Sequence, residues 1–247
     1  MTAVAPRMVR VTRDGPVAHL TLDRPEAANA LDREGVAELR GALDALGDDV
    51  ELIAVRGAGG RCFCGGADSR EMVSLPPAER QAAIVAFTEC CIALWEHPAL
   101  TVAVVEGYAT GGGAHVALAC DLRVLAPEAW LQFPSSSYGL HITVTWLTLH
   151  AGPAAATTLS ASRRRVGAEE AQRLGLAQAV APGDEALEAL GIARAPHLRE
   201  LKAAVRQAMP PHVGEALRRE RDRAVENVAL DRFVESLSRE PSARRRS

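Results

Sequence analysis

GYATGGGAHVALACD, residues 107 to 121, sets three consecutive glycines, Gly111, Gly112 and Gly113, directly before a run that reads as a helix over about 112–119. Upstream lies LTVAVVEG (100–107), a strand-like apolar run. Downstream come DLRVLA and then WLQF (130–133), both extended in pattern. A strand, a glycine turn, a helix and a strand in succession mark a unit of an α/β fold. Three readings of the glycines are open at this point: a plain tight turn, a phosphate cradle, or a backbone N–H aimed at a reacting oxygen. The cradle is the weakest, because no Lys follows as in GxxxxGK[ST] and the spacing is not GxGxxG with a later acidic residue.

The same pattern recurs on the N-terminal side. MVRVTR (8–13) and VAHLTL (17–22) flank Asp14-Gly15 and predict a hairpin. Asp32 is a suitable N-cap, and Val36, Leu39, Leu43 and Leu46 follow at helical spacing, so a helix is expected over about 32–46. LIAVRG (52–57) reads as a buried strand. A second glycine-rich loop, GAGGRCFCGGAD, then leads toward a long helix over 78–96 that stops before Pro98. Repeated alternation predicts an α/β fold with largely parallel strands and right-handed crossovers. Beyond about 142 only AQAVA (177–181) suggests a strand, and 196–238 reads as wholly helical. The expected division is a core over 1–190 and a helical C-terminal region over 191–247.

Composition narrows the function classes. The net charge of −3 gives no global basic field for nucleic acid, and the basic end SARRRS reads as a solvated terminus. No apolar run approaches the ~20 residues of a membrane span, and the N-terminus lacks a signal-peptide pattern. A cytoplasmic protein without nucleic-acid or membrane partners is expected. Five cysteines, with no CxxC pair and no histidines at ligand spacing, predict reduced, mostly structural thiols and no metal site. Cys62 and Cys64, in the glycine-rich loop, are the two open to exposure.

Four segments in order carry a resemblance: VAHLTLDRPEAANALD (17–32), GAGGRCFCGGADSREM (57–72), VEGYATGGGAHVALACDLRVLAPEAWLQF (105–133) and RVGAEEAQRLGLAQAVAP (165–182). Over nearly its whole length the chain resembles the crotonase superfamily, the enoyl-CoA hydratase/isomerase family. The resemblance implies a spiral of ββα units, an acyl-CoA thioester substrate with no cofactor beyond the coenzyme A it carries, and a homotrimer or dimer of trimers built through a helical C-terminal region. It also implies an oxyanion hole of two backbone N–H groups, which fall here on Ala67 and Gly112. A thioester carbonyl gains negative charge when its α-carbon becomes carbanionic, and fixed N–H donors stabilise that charge. Arg24 and Ala28 match the segment lining the coenzyme A site. Gly66 and Asp68 match the stretch that contacts the adenine and pantetheine, Gly111 belongs to the GGG segment, and Tyr138 and His141 fall where relatives line the acyl pocket.

Two positions depart from the pattern. Where hydratases of the family carry paired glutamates for acid–base work, this chain has His115 and Ser135. His115 is a candidate acid–base residue, since imidazole titrates near neutrality, and equally a polar filler of the vacated space. Loss of both carboxylates disfavours hydration. Decarboxylation, isomerisation or carbon–carbon cleavage, which rely more on the oxyanion hole, fit better. Alternatives from other classes are a catalytically inactive acyl-CoA-binding accessory subunit and a thioester hydrolase using His115 as base.

Overall fold

The computed structural model describes residues 8–192, 196–226 and 234–235. β1 (Val9–Asp14) pairs antiparallel with β2 (Val17–Leu22), and Gly15 takes the left-handed φ of +55° that their turn requires. Helix α1 (Arg33–Asp44) starts where Asp32 accepts a hydrogen bond from Gly35 N–H, and it buries Val36, Leu39 and Leu43. β3 (Leu52–Gly57) follows. The second glycine loop then runs into α2 (Ser69–Ser74) and the 20-residue α3 (Pro77–Glu96).

β4 (Leu100–Val105) is buried at every position, as its sequence, apolar except at Thr101, requires of a strand covered on both faces. β5 (Tyr108–Thr110) leads through the three glycines into α4 (Gly112–Ala119), whose residues 113–119 are all buried. β6 (Leu122–Leu125) and β7 (Trp130–Gln132) complete the central unit. Next come a 3-10 turn (Pro134–Tyr138) and α5 (Val144–Ser162), which kinks at Gly152, with φ +79°, just before Pro153. β8 (Val166–Gly167), α6 (Ala168–Arg173), β9 (Ala179–Val180) and α7 (Ala186–Ala189) precede two C-terminal helices, α8 (Leu198–Ala208) and α9 (Val213–Glu226).

The larger sheet has strand order β1-β2-β3-β4-β6-β9 and is parallel after its first pair; the smaller is β5-β7-β8. α4 leaves one sheet's strand and returns to the other, so its N-terminus lies where the second glycine loop also ends. Mixed sheets with a helical C-terminal region give the crotonase-type α/β architecture expected from the sequence. Among the described residues no helix is long and apolar enough to cross a membrane.

Two details differ from expectation. The run 196–238 is not one helical stretch: α8 ends at Ala208 and α9 begins at Val213, because Pro210 and Pro211 lack the N–H groups that would continue the ladder. Most of the run beyond 226 lies outside the described residues. β8 was not anticipated, since a two-residue strand carries no periodicity to read. α8 is held to the core by Asp121, which meets Lys202 Nζ at 2.7 Å and Arg206 at 2.6 Å while accepting from Thr101 N–H and Oγ1.

Candidate active site

Three short segments build the site, and backbone bonding fixes them to one another. Leu31 N–H donates to Gly66 O, and Asp68 N–H donates to Leu31 O, so a parallel bridge joins Leu31 to Ala67. Successive amides of an extended chain point to opposite sides. The Asp68 N–H therefore faces Leu31 and the Ala67 N–H faces away from it. No described acceptor takes the Ala67 N–H. Asn29 secures the other end, donating from Nδ2 to Cys62 O at 2.7 Å and to Ala58 O at 3.0 Å. Ala28, in the left-handed region with φ +56°, accepts from Gly65 N–H.

α4 supplies the second donor. Gly112 is its first residue, so its N–H has no partner within the helix. The approach of the two segments explains the glycines. A Cβ on Gly113 would lie 1.8 Å from Cys64 O, and one on Gly66 would lie 2.7 Å from Gly112 N. Gly66 also has φ +97°. Side chains at either position would drive the two backbones apart. The unpaired N–H groups of Ala67 and Gly112 thus belong to backbones in direct contact.

Both residues line a cavity of about 240 Å³. Its other walls come from α3 (Ile84, Phe87, Thr88), the 3-10 turn (Pro134, Ser135) and the segment before α5 (Leu140, Ile142). Gly65, Ser69, Thr110 and Gly111 complete the lining. No ionisable side chain is among these residues. Thr88 Oγ1 is bonded back to Ile84 O, whereas Ser135 Oγ has no hydrogen-bond partner among the described residues. Of the residues singled out from sequence, Ala67, Gly111, Gly112 and Ser135 line this cavity. Sequence reading missed the α3 wall, because α3 is apolar on most sides and its pattern does not say which face meets a cavity.

The remaining candidates stand elsewhere. Arg24 donates from Nη1 to Asp68 Oδ2 at 2.6 Å and to Asp32 Oδ2 at 3.4 Å, tying together the caps of α2 and α1. Burial of Asp68 would raise its carboxyl, but N–H bonds from Arg70 and Glu71, with Arg24, outweigh this and hold it below the usual range. Neither residue lines the cavity, nor do Ala28 and Gly66. Tyr138 ends the 3-10 turn, and its side chain lies outside the described residues. His141 does not reach this cavity and lines a second one against α9.

His115 sits on the inner side of α4, 1% exposed, with its ring 6.4 Å from Phe87 and 6.2 Å from Trp146. It does not line the cavity; Phe87 does. Its Nδ1 is buried without a partner among the described residues, and burial alone lowers its pKa to about 3, so the imidazole is neutral. All five cysteines are buried, Cys62 and Cys64 included. Desolvation pushes Cys62 up to about 11 and Cys64 up to about 12, so neither is a thiolate nucleophile at neutral pH.

Comparison with known proteins agrees with this architecture. Residues 12–242 match the family described as enoyl-CoA hydratase/isomerase. A Mycobacterium bovis protein named "probable enoyl-CoA hydratase" is 35% identical over 228 residues, covering 86% of each chain. The crotonyl-CoA hydratase of Syntrophomonas wolfei is 33% identical over 184 residues, covering 71% of this chain and 69% of that one. The crystal structure of an enoyl-CoA hydratase/isomerase from Xanthobacter autotrophicus matches with a TM-score of 0.83 at 28% identity, covering 94% of this chain and 93% of that one. With four ordered motifs, the mixed-sheet architecture and a match across most of its length, this chain belongs to the enoyl-CoA hydratase/isomerase family of the crotonase superfamily.

Proposed function

We propose that the protein is an acyl-CoA thioester enzyme that forms an enolate by decarboxylating a malonyl-type thioester, with the N–H groups of Ala67 and Gly112 as its oxyanion hole. The observation that carries this reading is the lining of the cavity: among the described residues it offers two unpaired backbone donors and no ionisable side chain. Deprotonation, hydration and hydrolysis each need a base placed at the substrate. Decarboxylation does not. The electrons of the bond to the departing carboxylate pass into the α-carbon and on to the thioester oxygen, carbon dioxide leaves, and the enolate takes its proton from water. The two N–H groups meet the negative charge as it develops on oxygen.

The apolar walls favour the same step. A carboxylate held against Ile84, Phe87, Leu140 and Ile142 is poorly solvated, whereas the enolate places its charge at the donors. Ser135, with its unengaged hydroxyl, and Thr110 are left to hydrogen-bond polar parts of the acyl group. Arg24, Ala28, Gly66 and Asp68 hold the donor loop at the coenzyme A side. His115 serves as a neutral filler behind Phe87, and a hydrolase relying on it would lack a competent base. The family's homotrimer or dimer of trimers, formed in the cytoplasm, is the assembly in which this site would work.

The test is a panel of malonyl-type, enoyl and saturated acyl-CoA thioesters, run with the wild type and with His115→Leu. Release of carbon dioxide with a one-carbon-shorter thioester, retained in the variant, is expected. Water addition to an enoyl thioester would overturn the proposal. Binding without turnover on any member would replace it with the accessory-subunit reading.

A further inference from the structure

The N-terminus of α5 has no cap of its own. Thr143, the N-cap residue, makes no side-chain capping bond, although 19 residues of helix follow it. The missing acceptor arrives from a helix 75 residues away in sequence. Glu220 Oε2 of α9 accepts from Thr145 N–H at 2.6 Å and from Thr145 Oγ1 at 2.5 Å. The carboxyl is partly buried, and desolvation raises its pKa to about 7 against the pull of these donors.

What this bond holds in place is one wall of the acyl cavity. Before α5, Leu140 and Ile142 line the cavity beside Ala67 and Gly112, whereas His141 between them and Val144, the first residue of α5, line a second cavity of about 740 Å³ shared with α9. Ala224, one turn beyond Glu220 on the same face of α9, packs in one apolar cluster with Leu140, Ile142 and Ile84. α9 therefore grips this segment twice, by a hydrogen-bonded cap and by apolar contact. Among the described residues, Arg219, Arg223 and His141 are the charged or titratable groups lining the space around Glu220.

We infer that Glu220 is a positioning residue for acyl-group selectivity: by capping α5 across the structure it sets where Leu140 and Ile142 stand, and hence how long an acyl group the cavity accepts. The inference rests on the reading of this cavity as the acyl site. The bond lies at the segment HITVTWLTLHAGP (141–153) and makes α9 part of the specificity apparatus.

Glu220→Ala and Glu220→Gln provide the test, the latter keeping an oxygen acceptor for Thr145. Amide hydrogen exchange over residues 139–146 reads the cap itself, and calorimetric binding of saturated acyl-CoA thioesters of increasing length reads selectivity. Glu220→Ala is expected to speed exchange there about tenfold and to shift the preferred acyl length, with affinity for coenzyme A unchanged; Glu220→Gln is expected to restore both. Unchanged exchange would overturn the clamp. Faster exchange with an unchanged length profile would overturn the link to selectivity, since a merely structural cap would loosen the helix without moving the profile. If the wild type binds no acyl thioester, the functional reading and the selectivity claim both fall, and exchange still decides the clamp.

Discussion

Replacing Gly66 with alanine tests the geometry on which the proposed chemistry depends. The new Cβ would stand 2.7 Å from Gly112 N and 3.1 Å from Gly112 Cα, both backbone atoms that cannot rotate away. Ordinary contact begins at 3.4 Å, so the loop carrying Ala67 and the first turn of α4 must part by roughly 0.7 Å. Catalytic donors need placement to within ~0.5 Å, and a misplacement of ~1 Å costs on the order of 10²-fold. A fall in kcat of about 10²-fold follows, equivalent to ~2.7 kcal/mol of transition-state stabilisation. Alanine at φ +97° also strains the backbone, at ~1–2 kcal/mol of stability. Gly15→Ala isolates that second effect, because Gly15 has φ +55° and nothing within 4 Å of its added Cβ. Thermal melting would show a loss in both variants. Turnover, together with affinity for the enolate of a 3-ketoacyl-CoA read by its ultraviolet absorption, should fall in Gly66→Ala alone. A folded Gly66→Ala protein with kcat and enolate affinity within about twofold of wild type would refute the reasoning.

Other outcomes follow from buried charge. His115 has a pKa of about 3 when folded against 6.5 for free imidazole, so the unfolded chain binds a proton first as pH falls. Its contribution to stability is complete above pH 6.5 and is lost as pH falls toward 3. His115→Leu should remove ~1.4 kcal/mol of this loss per pH unit below 6.5, measured by urea unfolding at a series of pH values. Identical pH slopes in variant and wild type would contradict the buried neutral imidazole. Asp121→Ala leaves Lys202, 5% exposed, without its carboxylate and should cost ~3–5 kcal/mol in denaturant unfolding. Adding Lys202→Met should recover part of that loss; no recovery would mean the ion pair is not the cause.

The elements legible from sequence are those set by local chemistry. The Asp14-Gly15 hairpin, the Asp32 cap of α1 and the 112–119 helix all rest on residues within a few positions of one another. The juxtaposition of Ala67 with Gly112 was reachable only through the resemblance, because nothing local to either loop says they meet. Arg24 was expected at the coenzyme A site from the resemblance alone; its bonds to Asp32 and Asp68 span 8 and 44 positions. The Thr145–Glu220 bond spans 75 and leaves no mark in either neighbourhood. His115 shows a further limit: its position in the motif was plain, but that Phe87 of α3 lines the cavity and His115 does not depends on how α3 and α4 are rotated about their axes.

The pressing of Gly66 and Gly113 against neighbouring backbone divides this fold into two kinds of part. The anion-stabilising donors are main-chain atoms fixed by steric exclusion, so they persist through almost any substitution that leaves those glycines in place. The groups that would move protons are side chains projecting from positions such as 115 and 135, where exchange leaves the donors undisturbed. A lineage can therefore change which bond it breaks by trading a few side chains, while the carbonyl-binding frame passes on intact with the packing itself.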